Sequence, residues 1–104
     1  ADALPLVQES LRLDNQNAWA HRTVGIYYLN QQQPAKAEAE FRQAETLDAS
    51  VDELYYYIGT AELALGDRAG ACEAWQRGVR AGDERAGQAY RKQCRGMQAM
   101  RKNG

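Results

Sequence analysis

Few residues in this chain are of a type that could carry chemistry. There is one histidine, His21, and there are two cysteines, Cys72 and Cys94. A hydrolase or transferase needs a nucleophile, a base and a group that orients the base. A metal centre needs His or Cys paired at ligand spacing. Neither pattern occurs in the sequence. Gly66-Asp67 and Gly82-Asp83 are turn dipeptides, and no glycine run leads into Lys-Ser or Lys-Thr, so there is no phosphate-cradle motif. His21 reads as a histidine packed between helices, and Cys72 as a small core filler. Two cysteines this far apart are too few for a disulfide framework, which leaves free thiols, buried or half buried, as the expectation. The sequence points to a protein that is not an enzyme and needs no metal or cofactor.

The elements that would position these residues are helices. The 104 residues are 44% hydrophobic and 26% charged, ordinary for one soluble domain. No apolar run approaches the roughly 18 to 20 residues of a membrane span. Val, Ile and Thr are sparse, and Tyr55-Tyr56-Tyr57 falls within a helical period, so the class is all-α. The spacing predicts a short helix over 3–13, then helices at about 18–31, 34–47, 51–65, 68–80 and 84–101. Pro34 suits a first turn, and Ser50 with Glu53 has capping-box spacing. Gly66 and Gly82 can stop a helix, after which Asp67 and Asp83 can cap the next. Neither a cytoplasmic nor a periplasmic location is excluded.

A fixed spacing runs through the middle of the chain. Gly25 is answered by Gly59, Ala37 by Ala71, Phe41 by Trp75 and Ala44 by Gly78, each pair 34 apart. That is the period of a helix–turn–helix repeat. The small residues stand where two helices cross closely, and Phe41 and Trp75 fill the space beside them. These landmarks resemble the tetratricopeptide repeat, with His21 and Tyr55 in place of its tryptophan and Glu62 in place of its tyrosine. The resemblance implies an α-solenoid of about six helices. Residues 1–17 would be the second helix of a truncated repeat, 18–51 and 52–85 two full repeats, and 84–101 a capping helix. The whole would be the C-terminal piece of a longer array.

Beyond the stripe each helix must bury lies a second set of side chains. On the helix from Ala18 these are Trp19, Ile26 and Leu29, with Arg22 and Asn30 beside them. The third helix adds Tyr56, Thr60 and Leu63, and the last adds Tyr90, Cys94 and Met97. By resemblance, these positions line the concave groove that holds an extended peptide or a partner's helix. The implied role is a scaffold, adaptor or assembly factor that binds another protein. The specialised clamp for chaperone tails needs Lys then Asn four residues on, and Arg22 with Ile26 does not supply it. Two alternatives are a homodimer formed through an uncovered N-terminal helix and a chaperone for an apolar secreted segment.

Charge is uneven along the chain. Residues 1–85 hold fourteen acids and eight bases (−6), whereas 86–104 hold five bases and no acid (+5). Arg91, Lys92, Arg95, Arg101 and Lys102 read as a solvated cap face, favourable at a helix C-terminus. Only Tyr90 interleaves with them, so nucleic acid is not an expected partner.

Overall fold

A computed structural model describes residues 17–94. They form five helices, α1 (Ala18–Asn30), α2 (Pro34–Leu47), α3 (Leu54–Ala64), α4 (Arg68–Arg80) and α5 (Glu84–Gln93), with no strand among them. The all-α class therefore holds. Met97 and the expected helix at 3–13 lie outside the described residues, as does the extension of the last helix to Arg101.

Most boundaries follow from the residues that mark them. Asn17 Oδ1 accepts from the Ala20 N–H at 3.0 Å, and Asp67 Oδ1 from the Gly70 N–H at 2.8 Å. Asp83 Oδ1 accepts from the Arg85 and Ala86 N–H groups. Each side chain satisfies backbone donors that the first helical turn leaves free. Pro34 opens α2 without a side-chain cap. Gly66 and Gly82 both take φ 88°, the left-handed conformation that glycine adopts without strain.

The capping box proposed at Ser50 and Glu53 does not form. Asp48 competes for Ser50: its Oδ1 accepts from the Ser50 backbone N–H at 3.0 Å and from its hydroxyl at 2.6 Å. Glu53 is left-handed at φ 59°, and its carboxylate is drawn to arginines from other helices. The turn is therefore longer and α3 starts at Leu54, later than the repeat spacing predicts.

Helices adjacent in sequence pack side by side, and α3 also touches both α1 and α5. Short connections with extensive packing make α1–α2 and α3–α4 hairpins. The core is built from the residues that echo at 34. Phe41, Ala37, Ala44, Leu54 and Ile58 are at most 1% exposed in one cluster. A second cluster gathers Ala71, Trp75 and Ala86 around the cysteines. The glycines are required by closeness: a Cβ on Gly25 would stand 2.4 Å from the Phe41 ring, and one on Gly59 2.3 Å from Trp75 Nε1. No side chain fits at either point.

Candidate binding groove

The elements facing the expected groove are α1, α3 and α5, and their side chains behave differently at its two ends. On α1, Trp19 is exposed over 57% of its surface. Arg22 is not a groove residue. It is only 8% exposed, its Nε donates to the Asp52 carbonyl at 2.7 Å, and its Nη2 lies 3.6 Å from Glu53. Its guanidinium stacks on Trp19 at 4.5 Å and on Tyr57 at 5.1 Å. Because a desolvated guanidinium must be fully partnered, Arg22 serves as a strut between α1 and α3. Ile26 and Leu29 are half buried against the first core cluster, and Asn30 is exposed at the end of α1.

Between α3 and α5 lies a cavity of about 360 Å³ lined by Tyr56, Thr60 and Leu63, three of the expected residues. Trp75 lies beneath them, 2% exposed, and its Nε1–H donates to the Tyr56 carbonyl at 3.0 Å. Thr60 donates its hydroxyl to the same carbonyl at 2.9 Å, so it offers a visitor its methyl and an acceptor oxygen but no donor. Tyr90 is half buried against the second core cluster.

The opposite wall lies outside the residues that the repeat pattern points to. It consists of Arg85, Gln88, Ala89, Lys92 and Gln93, all from α5. The sequence holds a usable signal: 85, 88 and 92 recur at helical spacing, so they share one face of a helix that must lie against α3. Arg85 stacks on Tyr56 at 4.2 Å, and its Nη1 donates to the Tyr57 hydroxyl at 3.2 Å and to Glu53 at 3.3 Å. Burial opposes its charge, but the hydrogen bond to Tyr57 and the nearby Tyr56, Tyr57 and Glu53 raise its pKa above the ordinary arginine value.

The free-thiol expectation is overturned. Cys72 and Cys94 form a disulfide with a Cα–Cα distance of 5.8 Å, and no described cysteine is free. They stand 22 positions apart in sequence, yet the start of α4 and the end of α5 lie side by side. Cys94 is 1% exposed. It closes the cluster under the groove, and its sulfur does not face a partner.

Outside the groove, His21 bridges α1 to α2, with Nδ1 2.8 Å from Glu40 Oε1. Among the described residues no group of His, Cys, Asp and Glu side chains could hold a metal ion, and no helix is long and apolar enough to cross a membrane. Compared with family models, curated proteins and solved structures, the chain matches none.

Proposed function

We propose that this chain is part of a tetratricopeptide-type array and serves as a non-enzymatic module that binds a protein partner through the α3–α5 groove. The observation that carries the reading is the groove itself. An aromatic and aliphatic wall from α3 faces a polar wall from α5 over an indole floor, around a cavity of about 360 Å³. Concave sites that set placed polar groups beside apolar surface are where ligands bind. Tyr56, Leu63 and Arg85 are the side chains expected to anchor the partner, being aromatic, aliphatic and guanidinium groups half exposed at one spot. The disulfide favours an oxidising compartment over the cytosol, since thiols there are kept reduced.

The test is a display library of random peptides selected on the oxidised protein. Tyr56→Ser and Leu63→Ser are expected to abolish capture of the selected peptides while circular dichroism still reports a cooperative helical fold. Loss of folding in both variants, or undiminished capture by them, would sink the assignment.

A further inference from the structure

The α5 wall has a charge pattern that selects among peptides. Two of the groove's lining residues are cations, Arg85 and Lys92, and none is an acid. The carboxylate that pairs with Arg85, Glu53, is shared with Arg22, so that trio retains a positive charge. Lys92 is exposed and has no partner among the described residues.

Arg85 is held in an unusual way for a residue 46% exposed at its side chain. One face lies on Tyr56, and Nη1 is committed to Glu53 and Tyr57. A guanidinium has five N–H donors. The edge formed by Nε and Nη2 carries the remaining ones, and that edge is a two-pronged donor for a planar carboxylate. Because stacking and the two Nη1 bonds already fix the group, little side-chain entropy is left to lose on binding. Lys92 lies seven residues further along α5, a rise of about 10.5 Å. A peptide extended in the polyproline II conformation advances about 3.1 Å per residue and returns to the same side every third residue, so that rise matches about three residues of peptide.

We propose that the groove takes an extended acidic peptide, with one carboxylate on the free edge of Arg85 and a second, about three residues away, at Lys92. An apolar side chain between the two acids seats against Leu63 and the Thr60 methyl. This rests on the reading of the groove as a peptide site and names its occupant.

The same display selection tests it, with Lys92→Glu as the second arm, since an exposed, unpartnered lysine can change sign without disturbing the fold. Peptides chosen by the wild-type protein should carry acidic pairs about three apart around an apolar residue. Replacing either acid by Gln should weaken binding about tenfold, as expected for losing a charge-assisted hydrogen bond. Lys92→Glu should weaken the acidic peptides by a similar factor and leave neutral ones unchanged. Selection of neutral or basic peptides overturns the acidic occupant while leaving the groove in place. Failure to select any peptide overturns both. A labelled single-stranded oligothymidine that displaces the selected peptide at a lower concentration than the peptide itself needs would also overturn the proposal, by making the groove a general polyanion site.

Discussion

At the scale of single residues, the clearest constraint is the glycine pair at 25 and 59. Gly59→Ala would put a methyl 2.3 Å from Trp75 Nε1, against an indole fixed by its hydrogen bond to Tyr56. We expect it to destabilise the protein by about 1–3 kcal/mol through overpacking, despite the better helix propensity of alanine. Gly87→Ala is the control, because the nearest atom to its added Cβ is a flexible Arg91 nitrogen at 3.4 Å. It should be neutral or stabilising by up to about 1 kcal/mol. Urea denaturation midpoints of the two variants decide the matter. These glycines could be read from sequence because both the small residue and the bulky one that faces it recur at the same interval. Arg22 could not be read that way, because apart from Trp19 its partners, Asp52, Glu53 and Tyr57, come from beyond the next hairpin.

Glu62, where the resemblance expects a tyrosine, is 7% exposed on the other side of α3. Its Oε2 lies 3.4 Å from Arg42, while its buried Oε1 has no hydrogen-bond donor. Burial pushes its pKa up; Arg42 opposes this, and Glu38 and Asp67 add to it. A carboxyl whose folded pKa is raised binds its proton more tightly in the folded state. Its contribution to stability is therefore fully present below the ordinary glutamate range and is lost as pH rises through the raised value. Glu62→Gln should raise the melting temperature at neutral pH, and the gain should shrink to nothing as wild-type Glu62 becomes protonated in acid. A gain independent of pH would contradict this assignment.

At the scale of elements, the helix ends were legible wherever one residue type decides them. Pro34, Gly66-Asp67 and Gly82-Asp83 all act where they stand. The start of α3 was not legible, because Asp48 and Glu53 compete for the same groups and only the folded chain shows which contacts win. Nor was the disulfide, which requires α4 and α5 to lie side by side before a separation of 22 residues becomes a bond. Closing a loop of that size contributes about 3 kcal/mol. Reduction, or the paired change of Cys72 and Cys94 to Ser, should lower stability by about that amount. Amide exchange should accelerate in α5 while α1 and α2 retain their protection, as hydrogen-exchange mass spectrometry would show. Equal acceleration in all five helices would mean that the bond supports the whole fold and not its last element.

At the scale of the whole molecule, two neighbouring faces do different work. The echoing residues make the contacts between helices, and they would do the same for any partner. On the row α1, α3 and α5, the end near Trp19 is occupied by the chain's own Arg22, whereas the end between Tyr56 and Lys92 is open. The sequence alone identified the α3 wall of that opening, because Tyr56, Thr60 and Leu63 exceed what one buried stripe needs. It missed the α5 wall, whose polar residues look like any solvated surface until α5 is laid against α3.

Binding of a partner segment between α3 and α5 can be observed in solution. The most direct measurement is to titrate ¹⁵N-labelled, oxidised protein with the peptide selected by display and to follow the backbone amide shifts. The largest changes should fall at residues 56–63 and 85–93, with α2 nearly unaffected. Shifts centred on α2 and the outer surface of α4, or on Trp19 alone, would contradict it.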